Sequence, residues 1–419
     1  MKTRIGMFFG GKSVEHEVSV ISAAQAAAAM DSARYEVIPV YISKDNEMYT
    51  GPDMLIPGSY RDLPALLARS RRVGLYREGG KVFLRSYPKG LFGKSFSYEL
   101  DLAFPVVHGT NCEDGSIQGF LQLYDLPYVG SDVGASASGM DKWTAKCLMR
   151  AAGLPVLPGY CLTSGSYYSD PEGSVAAIEA FHAYPLVIKP VNLGSSVGVS
   201  AAHDRDELVE GIELAASFAE RLLIEPMLSP MREINCAVLG DIDQTEASAC
   251  EEPVSANEIL SYRDKYQRSG GGKTGAKILL DNSPGTGAAS EGAEAYAGAG
   301  VKGMGGAMRI LPAVLEKSME DEIRQLARKA FTALNCAGVA RVDFLIDTEN
   351  GQIYVNELNT IPGSLSFYLW EAGGKSFGQL TDELVRLALK RHRAQAGLIW
   401  SNDANLLSGI PVGIKGAGK

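Results

Sequence analysis

Gly338-Val-Ala-Arg-Val-Asp-Phe-Leu345 and, shortly after it, Tyr354-Val-Asn-Glu-Leu-Asn359 are the two stretches on which the reading of this chain turns. Successive side chains of a β-strand point to opposite faces. Arg341 and Asp343 therefore share one face of the first stretch, and Val342 and Phe344 the other. The same alternation groups Glu357 with Asn359. If the two strands pair across the turn at Asp347–Gly351, one face carries two carboxylates, an amide oxygen and a guanidinium. Hard oxygen donors with coordination positions left open suit Mg²⁺ bridging substrate phosphates. The alternative is a surface hairpin held by salt bridges; the Asn-Thr-Ile-Pro-Gly turn directly after the acidic strand argues against it.

Outward from this point the chain reads as a large globular enzyme. Its 419 residues are 46% hydrophobic and 21% charged, enough for two to four domains. The net charge of −9 and the absence of a basic tract set nucleic acid and anionic membranes aside as main partners. No stretch approaches the roughly 18 apolar residues of a membrane span, and the first residues lack the apolar core of a signal peptide. Six scattered cysteines without a CxxC read as reduced, mostly buried thiols. A cytoplasmic protein is expected.

Thr3–Phe9, an Ala-rich helix over Val18–Met30 with Ser13 as N-cap, and Tyr35–Ile42 predict a βαβ unit with a parallel sheet. Leu102–His108 adds a strand and 115–124 a helix, so an open α/β domain is expected over 1–135, with an irregular insert at 44–100. A compact α+β unit over 136–233 follows, containing Asp141–Ala152 as a helix and strands at Leu186–Lys189, Val199–Ala201 and Arg221–Glu225. A second α+β unit spans 234–400, with helices at Ser318–Leu334 and Gly378–Gln395. Within it, Ser269–Gly306 is dominated by Gly, Ala and Ser and reads as a lid or an insertion. Residues 401–419 read as a loose tail.

Gly6-Met-Phe-Phe-Gly-Gly-Lys-Ser13 fits the GxxxxGK[ST] pattern formally. Its first glycine lies inside the apolar run, however, and Glu15 and Glu17 follow at once, so it does not read as a phosphate loop. A better phosphate site is Lys189-Pro-Val-Asn-Leu-Gly-Ser-Ser-Val-Gly198, where a lysine ends a strand and small residues let backbone amides approach anionic oxygens. In Leu222-Leu-Ile-Glu-Pro-Met-Leu228, with Glu233 downstream, an apolar strand ends in a carboxylate that could accept from an adenine amino group.

The order of these features (Lys142, Lys189, Glu225, Glu233, Asp343, Glu357, Asn359) resembles the ATP-grasp superfamily, in which two α+β units clamp ATP. More narrowly, the chain is similar to the D-alanine–D-alanine ligase family. The likeness rests on Phe9-Gly-Gly-Lys-Ser-Val-Glu-His-Glu-Val-Ser19, His108-Gly-Thr-Asn-Cys-Glu-Asp-Gly115, Gly139-Met-Asp-Lys142, Gly194-Ser-Ser-Val-Gly198, Lys265-Tyr266 and Asn356-Glu-Leu-Asn-Thr-Ile-Pro-Gly363, and spans about residues 1–395. It implies a three-domain ATP-grasp fold and an ATP-dependent ligase. ATP phosphorylates one D-alanine carboxylate, and the amine of a second attacks the acyl phosphate, yielding D-alanyl-D-alanine for peptidoglycan.

The resemblance also implies roles. Lys142, Lys189 and Lys265 neutralise the ATP phosphates, with Ser196 beside them; Glu225, Met227, Leu228 and Glu233 hold adenine and ribose. Asp343, Glu357 and Asn359 bind two Mg²⁺, with Mn²⁺ as a substitute. Arg341 and the Gly363 N–H face the acyl oxygen. Glu15 holds the first D-alanine's ammonium and joins Ser195 and Tyr266 in a hydrogen-bonded trio; for Glu15 alone, a charge at a helix N-terminus is an equally open reading. His108 sits near the first substrate's carboxylate. Tyr262, Lys265 and Tyr266 replace the histidine segment of lactate-preferring relatives, which implies an amine acceptor. After Gly363 the family places a small hydroxyl residue against the second substrate's carboxylate. Here the like-spaced residue is Tyr368, with Ser364 and Ser366 nearby, so a different acceptor such as D-serine is the second reading. An inactive ATP-binding relative is the third. A homodimer is expected.

Overall fold

The computed structural model describes residues 2–88, 96–194, 196–254 and 308–400. Ser195, Tyr262, Lys265, Tyr266, the Ser269–Gly306 stretch and the tail lie outside the described residues. Among the described residues, no helix is long and apolar enough to cross a membrane.

Strand β1 (Thr3–Gly10), helix α1 (His16–Ala29) and β2 (Tyr35–Ile42) form the expected βαβ unit, with β1 and β2 parallel. The start of α1 differs from expectation. Glu15, not Ser13, occupies the cap position, and the Ser13 hydroxyl instead accepts the Glu15 N–H at 3.1 Å, forming a turn ahead of the helix. The described part of the 44–100 segment is not irregular. It holds β3 (Met48–Thr50), α2 (Leu63–Ala68), β4 (Arg71–Glu78), β5 (Lys81–Ser86) and β6 (Ser97–Leu100), which extend the sheet by antiparallel pairing. With β7 (Leu102–Val107) parallel to β1, the order is β6-β5-β4-β3-β2-β1-β7, so the sheet is mixed rather than wholly parallel.

Helices α3 (Ser116–Leu123), α4 (Val133–Met140) and α5 (Lys142–Ala151) lead out of this sheet. Asp132 and Asp141 cap α4 and α5, accepting the N–H groups of Ala135 at 2.9 Å and Thr144 at 2.7 Å. A four-stranded antiparallel sheet follows, built from β8 (Tyr160–Thr163), β9 (Leu186–Pro190), β10 (Ser200–Ala202) and β11 (Arg221–Pro226) in the order β10-β9-β11-β8. Its helices α6 (Ser164–Ser169), α7 (Pro171–Phe181) and α8 (Arg205–Ala216) bury Val175, Ile178, Leu208 and Ile212 in a separate core.

The third sheet contains β12 (Met231–Gly240), β13 (Thr245–Val254), β14 (Met308–Ile310), β15 (Gly338–Asp347) and β16 (Ile353–Asn359), in the order β14-β13-β12-β15-β16. Helix α9 (Lys317–Ala333) covers one face with Ile323, Ala327, Ala330 and Phe331. Ala145 and Met149 of α5 belong to this same core, so α5 is anchored on the third sheet while its N-terminus reaches toward the second. After α10 (Phe367–Glu371), helix α11 (Phe377–Ala396) returns to the first domain and buries Leu380, Leu384 and Val385 in the core that contains Phe8 and Phe104. Burying side chains of this size contributes about 1.5–3 kcal/mol each, which ties the chain's two ends together.

Candidate active site

β15 and β16 pair antiparallel with Asp343 opposite Glu357 and Arg341 opposite Asn359. Their polar face forms the floor of a cleft of about 350 Å³. The Arg341 guanidinium grips Asp343 with both forks, at 2.6 and 2.7 Å, and the Asn359 amide donates to the same carboxylate at 3.1 Å. Lys142, at the start of α5, lies 3.2 Å from Glu357 and donates to the Leu193 carbonyl at 2.7 Å. The α5 cap thus places one ammonium between the acidic floor and the loop leading to Gly194.

Charge around this floor is unbalanced. Glu233 on β12 faces the same cleft, so Glu233, Asp343 and Glu357 meet Arg341 and Lys142. The Lys142 ammonium, working against burial, holds the Glu357 carboxyl down at about 2. Burial pushes Asp343 up in spite of Arg341, helped by the negative charges of Glu357 and Glu251. Burial and then Asp343 and Glu357 raise Glu233 to about 7. Such a carboxylate surplus favours a cation. The donor set of two carboxylates and an amide oxygen fits Mg²⁺ or Mn²⁺, which take oxygen ligands and keep positions for phosphate and water. Among the described residues, no three His, Cys, Asp or Glu side chains form a cage by themselves.

The opposite wall comes from the first domain. Glu15 lines the cleft, and its carboxylate approaches two glycine backbones. A Cβ on Gly109 would stand 2.9 Å from Glu15 Oε2, and one on Gly194 would stand 2.8 Å from it. Gly109 also has φ +79°, so a side chain there is excluded on both counts. His108 is buried, with Nδ1 2.9 Å from the Ile361 carbonyl and Nε2 3.1 Å from the Ser22 hydroxyl. The same hydroxyl accepts the Ser364 N–H at 3.0 Å, while Ser364 donates to Gln25 at 2.7 Å. These contacts hold the turn at Gly363–Ser366, where Ser364, Leu365 and Ser366 all have φ near +50°. Left-handed backbone costs about 1–2 kcal/mol per non-glycine residue, so the turn depends on its fastening to α1.

Of the residues singled out from the sequence, Glu15, His108, Lys142, Ser196, Glu233, Arg341, Asp343, Glu357, Asn359 and Gly363 line this one cleft. Others stand behind it. Glu225 is 1% exposed, with Lys189 at 2.6 Å on one oxygen. Met227 and Leu228 are partly buried just beyond β11, and the Met227 N–H donates to the Pro185 carbonyl at 2.9 Å. Tyr368 donates to Glu251 at 2.9 Å beneath the Arg309 guanidinium, and burial pushes its hydroxyl up to about 12. Sequence reasoning does not find Lys146, Glu113 or Glu251, all buried and charged. A lysine on an amphipathic helix carries no signal of burial, and Glu113 lies in a polar turn, though Glu251 lies in a strand-like run that could have flagged it.

Three sheets, with an acidic cleft of about 350 Å³ beside lysines carried on α5 and β9, fit an ATP-grasp ligase. The family model described as "D-ala D-ala ligase N-terminus" matches residues 4–131, and "D-ala D-ala ligase C-terminus" matches 148–307 and 293–386. A D-alanine–D-alanine ligase of Thermoanaerobacter sp. is 38% identical over 400 residues, covering 93% of this chain and 98% of its own. Among solved structures, the D-alanine–D-alanine ligase of Coxiella burnetii aligns with TM-score 0.74 and 28% identity, covering 94% of this chain and 96% of that one. The VanG D-Ala:D-Ser ligase of Enterococcus faecalis aligns with TM-score 0.72 and 28% identity, covering 93% and 100%. This chain belongs to the D-alanine–D-alanine ligase family.

Proposed function

We propose that the cleft joins two D-alanine molecules to D-alanyl-D-alanine at the expense of ATP, supplying a peptidoglycan precursor. The chain is an ATP-dependent ligase that forms a carbon–nitrogen bond. A carboxylate oxygen of the first D-alanine attacks the γ-phosphorus and ADP leaves. The amine of the second D-alanine then attacks the acyl carbon, loses a proton, and expels inorganic phosphate. The observation that carries this reading is the convergence, in one cleft, of Lys142, Arg341, Asp343, Glu357 and Asn359 with Glu15 from another domain.

Both steps gather negative charge on oxygens, so placement and electrostatic stabilisation are the main demands. In our reading Lys142 and Lys189 neutralise the triphosphate, with Lys265 and Ser196, and Glu225, Met227, Leu228 and Glu233 hold adenine and ribose. Asp343, Glu357 and Asn359 would hold two Mg²⁺ (or Mn²⁺), which supply neutralising charge on the phosphates. Glu15 fixes the first ammonium, aided by Ser195 and Tyr266, and His108 orients the first carboxylate. Arg341, whose charge cannot be lost, and the Gly363 N–H face the acyl oxygen.

Domains over 1–135, 136–233 and 234–400, a homodimer and a cytoplasmic location belong to the same proposal. A second reading, D-serine as acceptor, is favoured by Tyr368 and its bond to Glu251. Supplying ATP, Mg²⁺ and a panel of D- and L-amino acids, and weighing the products by mass spectrometry, tests the reading. D-alanyl-D-alanine with stoichiometric ADP and phosphate is expected. A mixed D-alanyl-D-serine product in preference would shift the acceptor, and ATP binding without phosphate release under every acceptor would point to an inactive relative.

A further inference from the structure

Lys146 is 1% exposed, and none of the reaction roles above uses it. It lies one helical turn after Lys142 on α5, so the two side chains leave the same face. Lys142 goes to Glu357; Lys146 goes inward to Glu225 Oε1 at 2.6 Å. The other oxygen of Glu225 takes Lys189, also at 2.6 Å, and Lys189 donates to the Asn356 side-chain amide oxygen at 3.4 Å. A single buried carboxylate thus bridges two ammonium groups, one sealed from solvent and one at 12% side-chain exposure.

Burial and the Lys189 charge pull the Lys146 pKa down and the Glu225 carboxylate opposes them; with the Lys146 ammonium charged, the three groups sum to +1. Glu225 is already answered from behind, and the outer lysine keeps an uncompensated charge. Without Lys146 the remaining pair is neutral, and the outer ammonium is drawn wholly to Glu225. A lysine with no exposed surface is costly to bury, and a hydrophobic residue would fill an α5 position facing a core at lower cost. The structure assigns Lys146 as a positioning residue for phosphate binding: by neutralising Glu225 from the interior it leaves the charge of Lys189 to the nucleotide phosphates. It touches no substrate. This rests on the reading of Lys189 as a phosphate lysine.

The test is titration of the full-length chain with ATP and separately with adenosine, both with Mg²⁺, the readout being the ratio of the two affinities. At the effective dielectric of such sites, loss of one unit charge close to a phosphate weakens binding by more than about tenfold. Lys146→Met is expected to lower the ATP-to-adenosine ratio at least about tenfold, and Lys146→Arg to restore most of it. Lys146→Met/Glu225→Gln, which removes both buried charges and leaves Lys189 unopposed, is expected to return to within about threefold of wild type. Adenine contacts of Glu225 cancel in the ratio. An unchanged ratio in Lys146→Met, or equal weakening of ATP and adenosine, would overturn the assignment and make Lys146 a structural lysine. If that variant does not fold, Lys146→Gln takes its place: a ratio lowered at least about tenfold supports the assignment and an unchanged one overturns it. A wild-type chain that binds no ATP would instead overturn the function reading, and this inference with it.

Discussion

Two arginine–aspartate forks in this molecule have nearly the same geometry and different consequences. Arg4 grips Asp101 at 2.9 and 2.7 Å in the first sheet, and Arg341 grips Asp343 at 2.6 and 2.7 Å in the third. Around Arg4 the charges cancel: Glu99 is 2.9 Å away and is itself met by Lys81 at 3.0 Å. Burial opposes the Asp101 carboxylate, but Arg4 outweighs it and the pKa falls. Around Arg341 burial is deeper, and with Glu357 and Glu251 adding negative charge Asp343 is raised instead. An ion pair is thus no mark of function by itself; its burial among further carboxylates sets this one apart.

The comparison breaks most visibly on activity. Glu357→Ala is expected to lower kcat/KM for dipeptide formation at least about a thousandfold, in the range of losing a principal electrostatic contact. Coupled ADP release at saturating D-alanine measures this, and a loss under tenfold would mean the acidic floor is not the reaction site.

Stability against pH sharpens the contrast. Glu233 in the folded chain has a pKa of about 7, above its ordinary 4.5, because of burial and then Asp343 and Glu357. The folded state therefore holds the extra proton between those values, and wild-type stability falls as pH rises through that window. Glu233→Gln removes the penalty. Without metal the variant should gain about 1–2 kcal/mol at pH 8 and nothing at pH 4, and Mg²⁺ with a nucleotide should shrink the gain. Urea unfolding at the two pH values checks it; a gain independent of pH would contradict the charge-surplus account.

Smaller effects test the periphery. Tyr368→Phe removes a hydroxyl donor from buried Glu251, at a cost of about 1–2 kcal/mol in stability, and should change the D-serine to D-alanine product ratio. An unchanged ratio would remove Tyr368 from acceptor selection. Asp101→Asn is expected to cost at most about 1 kcal/mol in unfolding experiments with kcat and KM within about twofold of wild type, so an activity defect there would erase the distinction between the two forks.

What was legible in the sequence follows the physics of each element. The β15–β16 hairpin could be read because a period of two allows one face only, and Asp347–Gly351 sets the pairing. Lys189 and Glu225 could be placed because each ends an apolar run, and Lys142 because it follows the Asp141 cap of a helix. The strands of 44–100 were hidden because β4 carries Arg71, Arg72, Arg77 and Glu78 and buries only Val73 and Leu75. Lys146 was hidden because its burial comes from packing between two units. The Ser22–His108–Ser364 fastening joins segments far apart in the chain, and no local pattern announces it.

In the proposed function, surplus carboxylates on β15 and β16 gather divalent cations around a triphosphate. Electron paramagnetic resonance of Mn²⁺ in the presence of ATP tests it most directly. Wild type and Asp101→Asn should immobilise the metal equally, while Asp343→Asn and Glu357→Gln should each lose most of the bound signal. Equal Mn²⁺ binding by all four chains would contradict the account.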